Sequence, residues 1–284
     1  MKKYIVITGV STGIGFATAR ELIACGHHVF GSVRKDADGM RVQKELGTSF
    51  TPLLFDVTDT AALRTAVAIV QAVVGDGGLA GLVNNAGVSS SGPIMHVSPD
   101  EVRRSFETNV FGMLAVTQAF LPLLGAHAGA THPPGRIVNL SSISGGATFP
   151  MITLYAMTKH AVEALSDGLR RELSIYGIEV SAVEPGAIRT PIWDKALQGQ
   201  LDTCYANTDY AKVMAGAPTF IARELKNAKP IKVVTDAICH ALNSPRPRPR
   251  YPLRGLWYVV KVLPDRVFDR LIIKMAGLTP IHKR

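Results

Sequence analysis

A glycine-rich turn near the N-terminus restricts the fold of this chain more than any other feature of its sequence. Residues 8–15 read Thr-Gly-Val-Ser-Thr-Gly-Ile-Gly, between a β-rich run at 4–8 and a helical stretch at 15–25. Small residues let the backbone turn tightly and approach a pyrophosphate at the N-terminus of a helix. The glycine spacing differs from the usual G-x-G-x-x-G pattern. Taken alone, the turn leaves a dinucleotide site and a plain strand–helix connection both open.

Short apolar strands alternate with helices along most of the chain. Beyond the first strand, β-rich runs lie at 28–32, 50–55, 81–84, 136–140 and 179–183. Helical patterns lie at 15–25, 40–46, 61–74, 102–124 and 155–176. This alternation predicts βαβ units with right-handed crossovers and a parallel sheet that is covered by helices on both faces. The predicted fold class is therefore α/β.

The positive charge of the chain is confined to its C-terminal end. The chain has 284 residues and a formal net charge of +9. Residues 245–284 contain ten basic and two acidic side chains, so the first 244 residues are nearly neutral, at +1. Charge of this kind belongs to a tail and does not indicate a nucleic-acid-binding domain. We therefore expect no nucleic-acid partner.

The cysteines and the N-terminus indicate a cytoplasmic protein without a metal site. Cys25, Cys204 and Cys239 are far apart and lack metal-binding or redox spacing, so reduced thiols are expected. The first strand begins near Lys3, which leaves no room for a signal peptide. No apolar run is long enough to predict a membrane span.

A tyrosine and a lysine are spaced so that they can share one face of a helix. Tyr155 and Lys159 are four residues apart, and Ser142 precedes the tyrosine. Lowering the pKa of a phenol from about 10 to about 7–8 takes roughly 3–4 kcal/mol. A cation about 4 Å away supplies about 4 kcal/mol at an effective dielectric of about 20. Lys159, helped by the positive ring of an oxidised nicotinamide, is therefore expected to lower the pKa of Tyr155. The alternative is a surface pair without a catalytic role.

Seven motifs, in order along the chain, carry a family resemblance. They are Thr8-Gly9-x3-Gly13-Ile14-Gly15, Asp56-Val57, Asn84-Asn85-Ala86-Gly87, Asn109, Ser141-Ser142, Tyr155-x3-Lys159 and Pro185-Gly186-x3-Thr190. Over about residues 3–245 the chain resembles the short-chain dehydrogenase/reductase family, and its long C-terminal extension is similar to the 17β-hydroxysteroid and retinol dehydrogenase branch. The resemblance implies a single doubly wound Rossmann-type domain with a seven-stranded parallel sheet.

The resemblance also implies catalytic roles. Tyr155 would exchange a proton with the substrate, and Ser142 would orient the substrate oxygen. Lys159 would bind the nicotinamide ribose, and Asn109 would hold a water that links Lys159 to solvent. Ser141 is expected to be a hydrogen-bonding serine at a strand end, without a catalytic role.

Residues at several strand ends are expected to bind the cofactor. Asp56 and Val57 would contact the adenine, and Ile188 with Thr190 would hold the carboxamide. For Asn84 a structural role between neighbouring strands is expected. The full predicted cofactor set is Gly9, Ser11, Thr12, Gly13, Ile14, Gly15, Arg34, Asp56, Val57, Asn85, Ala86, Gly87, Tyr155, Lys159, Pro185, Gly186, Ile188 and Thr190.

The end of the second predicted strand selects the dinucleotide. An acidic residue there hydrogen-bonds the ribose 2′-hydroxyl, whereas an arginine can bind a 2′-phosphate. In this chain Arg34 follows Val33, and Ser11 in the glycine turn is small enough to reach a phosphate. NADP(H) is therefore the preferred cofactor, by about ten- to hundredfold. NAD(H) binding through Asp36 or Asp38 remains the alternative.

The regular pattern ends after Gly186. Residues 187–230 are irregular and contain many apolar side chains. An insertion at the carboxyl end of a sheet strand is where open α/β folds bind substrate. We place a catalytic domain at 1–245 and a basic, amphipathic extension, packed on the same domain, at 246–284. A bulky lipophilic substrate (a steroid, a retinoid or a long-chain carbonyl) is expected, and a small polar carbonyl is the alternative.

The last predicted helix has two interpretations. Its apolar face consists of Val267, Phe268, Leu271, Ile272 and Met275. Its basic stripe consists of Arg266, Arg270 and Lys274. Such a helix can cover the domain or a dimer interface, with its arginine stems lying along apolar surface. It can also lie on a membrane surface. We favour the cover.

The combined features predict an NADP(H)-dependent oxidoreductase that interconverts a secondary alcohol and a ketone or aldehyde. Relatives in the family commonly form dimers or tetramers through the long helices at 102–124 and 155–176, so a homo-oligomer is expected. The competing class is a non-catalytic dinucleotide-binding sensor, because a fold does not fix a function. The complete set of Asn109, Ser142, Tyr155 and Lys159 favours the enzyme, since a sensor needs no acid or base.

Overall fold

Seven parallel strands form one sheet in the centre of the molecule. The computed structural model describes residues 3–190, 205–255, 258 and 262–280. The strands are β1 (Tyr4–Ile7), β2 (His28–Val33), β3 (Phe50–Leu54), β4 (Gly81–Asn84), β5 (Arg136–Leu140), β6 (Glu179–Glu184) and β7 (Arg250–Pro252). Their order across the sheet is β3-β2-β1-β4-β5-β6-β7, and all neighbouring strands are parallel.

Helices follow most of the strands and cover both faces of the sheet. They are α1 (Gly13–Ala24), α2 (Asp36–Leu46), α3 (Thr60–Val74), α4 (Pro99–Phe106), α5 (Met113–Phe120), α6 (Thr153–Glu172), α7 (Ala211–Ala215), α8 (Ala217–Lys226), α9 (Lys232–Asn243) and α10 (Asp265–Met275). A π-helical segment, Glu107–Gly112, joins α4 to α5.

Successive residues of a strand enter two separate apolar cores. Ile5 and Ile7 of β1 pack with residues of α1 and α9 on one face of the sheet. Val6, between them, packs on the other face with residues of α3, α5 and α6. Side chains alternate between the two faces of a strand, so a sheet that is buried on both sides needs continuous apolar strands. The predicted α/β class is confirmed.

The order of the strands reverses at β1. The chain adds β2 and β3 on one side of β1 and then returns to add β4 on the other side. The carboxyl ends of β1 and β4 therefore border a crevice, and open α/β sheets bind ligands at such a switch point. The glycine turn follows β1 and residues 85–87 follow β4, so both segments lie at this crevice.

Several elements differ from the sequence prediction. The helix predicted at 102–124 begins earlier, because the Ser98 hydroxyl caps α4 by accepting from the Glu101 N–H, and the π-helical segment interrupts it. Helices α7 and α8, in the segment predicted to be irregular, helix α9 and strand β7 were not predicted. Strand β7 follows a Pro-Arg repeat and lies at the edge of the sheet, where proline is tolerated. The sheet thus includes residues beyond position 245.

Part of the predicted substrate insertion lies outside the described residues. This applies to residues 191–204 of the segment at 187–230, and therefore to Cys204. The described remainder of that segment contains α7 and α8. Cys25 and Cys239 are free thiols. Among the residues that the structure describes, no helix combines the length and the apolar character needed to cross a membrane.

Candidate active site

The turn after β1 needs glycine for two different reasons. Gly9 and Gly13 have φ angles of 73° and 63°, in the left-handed region that glycine adopts without strain. At Gly15 the constraint is space, because a Cβ atom there would collide with the Gly9 carbonyl oxygen and lie 2.5 Å from Nδ2 of Asn85. Helix α1 begins here, and its N-cap residue Thr12 makes no side-chain capping bond within the described structure. A helix N-terminus below a glycine turn favours an anion such as a pyrophosphate.

Two polar side chains join this turn to the end of β4. The Thr8 hydroxyl accepts hydrogen bonds from the backbone N–H groups of Asn85, at 3.0 Å, and Ala86, at 2.9 Å. The Asn85 amide donates to the carbonyl oxygens of Thr8, at 2.8 Å, and Gly9, at 2.9 Å. Ala86 also packs closely, since a Cβ atom on Gly9 would lie 3.1 Å from its Cα. The Asn85 side chain therefore stabilises the wall of the crevice.

The structural role expected for Asn84 is confirmed. Its amide donates to the Thr117 hydroxyl and to Oδ1 of Asn139 on β5, both at 2.9 Å, so it links two neighbouring strands to α5. Within the described part of the chain, the Ser141 side chain does not make the hydrogen bond that was expected of it. Its backbone N–H donates to the Val183 carbonyl at 2.9 Å, but its hydroxyl is buried and has no hydrogen-bond partner among the described residues.

Arg34, which is predicted to select the dinucleotide, lies at the end of β2, and Asp56 and Val57, which are predicted to contact the adenine, follow β3. The Arg34 side chain is 74% exposed, and its Nη1 lies 3.9 Å from Oδ2 of Asp56. An exposed ion pair at this distance contributes little stability, so the guanidinium can bind another anion. Val57 is buried against the π-helical segment, where a Cβ atom on Gly112 would lie 2.7 Å from the valine side chain.

Arg41 is a second cation beside the glycine turn, and the sequence analysis missed it. Its Nη2 donates to the Ser11 carbonyl at 2.6 Å and to Oδ1 of Asp38 at 3.3 Å. Asp38, through which NAD(H) could bind, is thus paired with an arginine. Arg41 lies 30 residues from Ser11 along the chain, and only the packing of α2 brings it to the turn. No local sequence pattern could have identified it.

Tyr155 and Lys159 lie on one face of α6, as predicted. Nζ of Lys159 is 5.6 Å from the centroid of the Tyr155 ring. The lysine is only 5% exposed, and its ammonium donates to the carbonyl oxygen of Leu140, at the end of β5, at 2.7 Å. Burial lowers the pKa of Lys159 to about 8, although the Glu163 carboxylate acts in the opposite direction. Because Lys159 is buried and Tyr155 is half-buried, the two do not form an exposed surface pair.

In the chain without a cofactor the pKa of Tyr155 is not lowered, and the lowering expected beside an oxidised nicotinamide stays a prediction. Burial raises the pKa of the Tyr155 phenol, and a hydrogen bond with Ser142 opposes this without reversing it. The physical reason is that moving a phenolate out of water costs more free energy than its interactions inside the protein restore. Lys159 instead donates to Leu140. A lowered Tyr155 pKa therefore requires the second positive charge that the sequence argument named, on the oxidised nicotinamide.

Ser142 lies between the end of β5 and the turn after β6. Its hydroxyl accepts from the Ser144 N–H at 3.1 Å and donates to the Pro185 carbonyl at 3.4 Å. The serine is buried, and its hydroxyl lies near enough to the Tyr155 phenol to act on its pKa, in the direction opposite to burial. The β5 loop therefore brings the serine hydroxyl to the phenol, as predicted for a pair that would bind one substrate oxygen.

Asn109 lies in the π-helical segment, and this segment gives its side chain partners outside the helix. Its amide donates to the Val88 carbonyl at 2.8 Å and to the Thr158 hydroxyl at 3.0 Å, and it accepts from the Val88 N–H at 2.8 Å. Thr158 in turn donates to the Tyr155 carbonyl at 2.8 Å. π-helical turns are frequent at functional sites. Asn109 thus connects the loop after β4 to the helix that carries Tyr155.

The loop after β6 borders the same end of the sheet. Ile188 is buried and pairs with Lys229 in an isolated parallel bridge, and the Thr190 hydroxyl lies 3.5 Å from the Ile188 carbonyl. Gly186 packs against Arg254 of the C-terminal extension, because a Cβ atom on the glycine would lie 3.1 Å from Cδ of the arginine. The predicted set therefore converges on one edge of the sheet.

A buried charge cluster lies next to Lys159, and the sequence analysis did not single it out. Arg250 of β7 contacts Glu163 at 2.8 Å, Asp167 at 2.8 Å and Glu184 at 3.3 Å. Glu163 and Glu184 are almost fully buried. The sequence signal was weak: Glu163 and Asp167 continue the four-residue spacing of Tyr155 and Lys159 along α6.

Known proteins resemble this chain over nearly its whole length. The NADPH-dependent 3-dehydrocapnine reductase of Ornithobacterium rhinotracheale is 41% identical over 276 residues, which cover 96% of each protein. Retinol dehydrogenase 5 of Mus musculus is 31% identical over 290 residues, with 95% of this chain and 87% of that protein covered. The solved structure of ElxO with NADP bound has a TM-score of 0.73 and 26% identity, and it covers 91% of this chain and 100% of that one.

A family model assigns the chain independently of any single relative. The model for short chain dehydrogenases matches residues 3–201. The matched part contains the glycine turn, Asn109, Ser142, Tyr155 and Lys159, which the structure brings to one edge of the sheet. The chain is a member of the short-chain dehydrogenase family.

Proposed function

We propose that the protein is an NADP(H)-dependent oxidoreductase that interconverts a secondary alcohol and a ketone or aldehyde. The observation that carries this proposal is the buried group at the carboxyl edge of the sheet. There Tyr155 and Lys159 share a helix face, the Ser142 hydroxyl lies near the Tyr155 phenol, and Asn109 connects to the Tyr155 carbonyl through Thr158. A non-catalytic sensor has no need of such a group.

The side chains have separate tasks in this reaction. A bound nicotinamide supplies or accepts the hydride. Tyr155 gives a proton to the carbonyl oxygen in reduction and takes it from the alcohol in oxidation. The Ser142 hydroxyl binds the same substrate oxygen and orients it. Lys159 contributes positive charge beside Tyr155, and Asn109 orders the proton path toward solvent.

The pyrophosphate and the 2′-phosphate have suitable partners in this chain. Gly15 leaves space that a Cβ atom would fill, and the adjacent helix N-terminus favours anions. Arg34, which is largely exposed, and Arg41 are the cations for a 2′-phosphate. The name of the Ornithobacterium relative, an NADPH-dependent reductase, supports the same choice.

Replacement of Tyr155 by phenylalanine tests the proposed chemistry. Tyr155→Phe keeps the ring but removes the proton donor, so turnover should fall by about a hundredfold or more. NADPH affinity, measured by fluorescence titration, should remain within about threefold of the wild type because the phenol contributes little to binding. Retained turnover in the variant would contradict the proposal. Tight NADPH binding by the wild type without turnover of any carbonyl would favour the sensor.

Replacement of Arg34 tests the cofactor preference. Arg34→Asp removes a phosphate partner and introduces a carboxylate suited to a ribose 2′-hydroxyl. The ratio of kcat/KM with NADPH to kcat/KM with NADH should fall by about ten- to hundredfold. Lys35→Asp, one residue further on, is the matched control. An unchanged ratio in Arg34→Asp would exclude Arg34 as the selecting residue.

We propose a bulky lipophilic substrate. The similarity to retinol dehydrogenases over nearly the whole chain supports this class. Exposed apolar side chains in the loop after β4, among them Val88, Ile94 and Met95, are suited to bind an apolar molecule. A series of ketones of increasing chain length, reduced with NADPH, tests the class. A constant kcat/KM along the series would favour a small polar carbonyl.

We propose that α10 covers the domain. Phe268 packs against Phe149 with ring centroids 6.3 Å apart, and Ile272 is buried. Val267, Leu271 and Met275, which the sequence analysis put on the same apolar face, are exposed instead. Flotation with anionic liposomes, comparing the full chain with one that ends at Arg254, tests the membrane alternative. Flotation of the full chain alone would favour a membrane contact.

We also propose a homo-oligomer formed through the long helices. Phe111 in the π-helical segment and Met157 on α6 are apolar and exposed, which suits a helix-mediated contact between two copies. Light scattering should give twice or four times the mass of one chain, and Met157→Arg should lower it. A monomeric wild type would contradict this proposal. A cytoplasmic location remains a prediction.

A further inference from the structure

The group that controls the charge of Lys159 lies one helical turn beyond it. Glu163 follows Lys159 by four residues on α6, so the two side chains lie on the same face. Glu163 is 8% exposed. Its Oε2 accepts from Nε of Arg250 at 2.8 Å, whereas its Oε1 is buried and has no hydrogen-bond partner among the described residues. Oε1 of Glu163 can therefore interact electrostatically with the Lys159 ammonium.

The loop after β5 packs directly on this turn of α6. A Cβ atom on Gly145 would lie 2.8 Å from the Lys159 carbonyl oxygen, 2.8 Å from the Ser141 hydroxyl and 2.9 Å from Cγ of Glu163. Gly145 is itself buried. Water is thus excluded between Glu163 and the loop that carries Ser142, and charges interact strongly where water is excluded. This packing also fixes the position of the Glu163 side chain.

We propose that Glu163, held in place by Arg250, is a positioning residue that keeps the Lys159 ammonium charged inside its buried site. The inference rests on the proposed function, because Tyr155 needs that charge. Burial without a compensating anion would favour a neutral lysine. The carboxylate opposes this effect and raises the pKa of Lys159. Arg250 supplies the cation that a buried carboxylate needs, at 2.8 Å from Glu163.

Charged and titratable groups from three elements lie near Lys159 and Glu163. Helix α6 contributes Tyr155 and Asp167, β6 contributes Glu184, and β7 contributes Arg250. Asp167 belongs to the same cluster but is one turn further from Lys159, and it also pairs with Arg170 at 2.8 Å. Asp167 therefore provides a matched control, because its replacement disturbs the cluster without removing the charge next to Lys159.

Titration of Lys159 in the protein without cofactor tests the proposal directly. The chain is labelled with lysine that carries 13C at Cε, and the Lys159 signal is identified by its loss in Lys159→Arg. In Glu163→Gln, which keeps the size of the side chain, the titration midpoint should fall by about one pH unit. Asp167→Asn should move the midpoint by less than about a third of that, because screening weakens the more distant charge.

Activity supplies a second readout with the same sign. In Glu163→Gln the alkaline limb of kcat/KM should shift to lower pH by the same amount as the midpoint. Glu163→Asp keeps the charge and should restore both values to within about a third of a unit of the wild type. If Glu163→Gln does not fold, Glu163→Asp still tests the charge, because a Lys159 midpoint that falls by about one pH unit in this variant, which keeps the carboxylate, would overturn the proposal.

The outcomes separate this inference from the proposed function. An unchanged Lys159 midpoint in Glu163→Gln would overturn the inference, and so would equal shifts in Glu163→Gln and Asp167→Asn. Retained turnover in Tyr155→Phe would overturn the proposed function. It would leave the lysine titration, which needs neither cofactor nor substrate, as a valid measurement.

Discussion

Two regions at the carboxyl edge of the sheet are built by different physical means. The crevice wall at β1 and β4 is neutral: it consists of the glycine turn, the Thr8 hydroxyl and the Asn85 amide, and these two side chains hydrogen-bond to backbone groups at 2.8–3.0 Å. The region at β5 to β7 depends on buried charges. Lys159 and Glu163 are buried there, and the Arg250 guanidinium compensates the negative charge of the carboxylates.

The two regions therefore act in different ways: the crevice wall acts through its shape, and the charge cluster acts through its electrostatics. A neutral wall of close-packed backbone positions a ligand by fit, and its stability does not depend on pH between about 5 and 9, since none of its groups titrates there. A charge cluster adjusts the protonation of a neighbouring side chain, but each member becomes costly when its partner is removed. The dinucleotide side of the site should therefore respond to volume, and the catalytic side should respond to charge and pH.

The largest effect should come from Arg250. Arg250→Met leaves Glu163 and Glu184 buried without their guanidinium, so the free energy of unfolding should fall by about 3–5 kcal/mol at pH 7.5. Loss of the cation disfavours the charged form of the buried Glu163 carboxylate, so the native state of the variant binds more protons than its unfolded state and its stability falls as the pH rises. Urea unfolding at pH 5.5 and 7.5 measures this, and the deficit should be smaller at pH 5.5. An equal deficit at both pH values would mean that Arg250 contributes packing and not charge.

Arg250 also marks the limit of what the sequence could predict. The glycine turn, Ser142, Tyr155 and Lys159 are recognisable because each motif is local, and their positions at strand ends follow from the alternating pattern. The Arg250–Glu163 pair joins residues that are 87 positions apart. It depends on β7 pairing with β6, and a three-residue edge strand after a Pro-Arg repeat gives almost no sequence signal. Charge pairing across a sheet cannot be derived without the register.

The raised pKa of Tyr155 in the chain without a cofactor was not predicted, for a related reason. The two positive charges that were considered, on Lys159 and on the oxidised nicotinamide, are visible from the motifs, whereas the burial of the phenol and the Leu140 carbonyl that binds the ammonium are not. Spacing along a helix gives proximity, but it does not give solvent exposure. The interruption of the long helix at Asn109 was equally hidden, since a π-helical turn has no residue signature of its own.

The next largest effect tests the neutral wall. In Gly15→Ala the new methyl group collides with the Gly9 carbonyl and with the Asn85 amide, which moves the turn away from its position. NADPH affinity should fall by about a hundredfold, the cost of a displacement of roughly 1 Å in a positioning group. Calorimetric titration at pH 6.5 and 8.5 should give the same loss at both values. A loss of NADPH affinity that differs between the two pH values would show that the crevice wall also depends on charge.

Gly77→Ala is the matched control for the glycine turn. Gly77 is exposed and does not have a left-handed φ, and a methyl group added to it would meet no atom of the described residues within 4 Å. The same substitution there should leave NADPH affinity and stability unchanged within about 0.5 kcal/mol. A comparable loss in this variant would show that the effect at Gly15 reflects general destabilisation.

The smallest predicted effect has the opposite sign, because Lys159→Met should stabilise the protein while removing its activity. With a folded pKa of about 8, Lys159 binds its proton less tightly in the native state than in the unfolded chain. Below that pH, folding a protonated lysine costs about 3 kcal/mol. Methionine removes this cost but leaves the Leu140 carbonyl without a donor, so the net gain at pH 7 should be about 1–2 kcal/mol.

The pH dependence isolates the lysine contribution. Between about pH 8 and pH 10.5 the unfolded wild type binds more protons than the native state, so this lysine makes wild-type stability rise with pH in that window. The variant should lack that rise, and its advantage at pH 7 should disappear by pH 10. Urea unfolding at pH 7, 8.5 and 10 measures both slopes. If the stability of the wild type and of Lys159→Met changes with pH at the same rate, Lys159 titrates like an exposed lysine. The region at β5 to β7 would then not depend on pH through Lys159, although its contacts are buried.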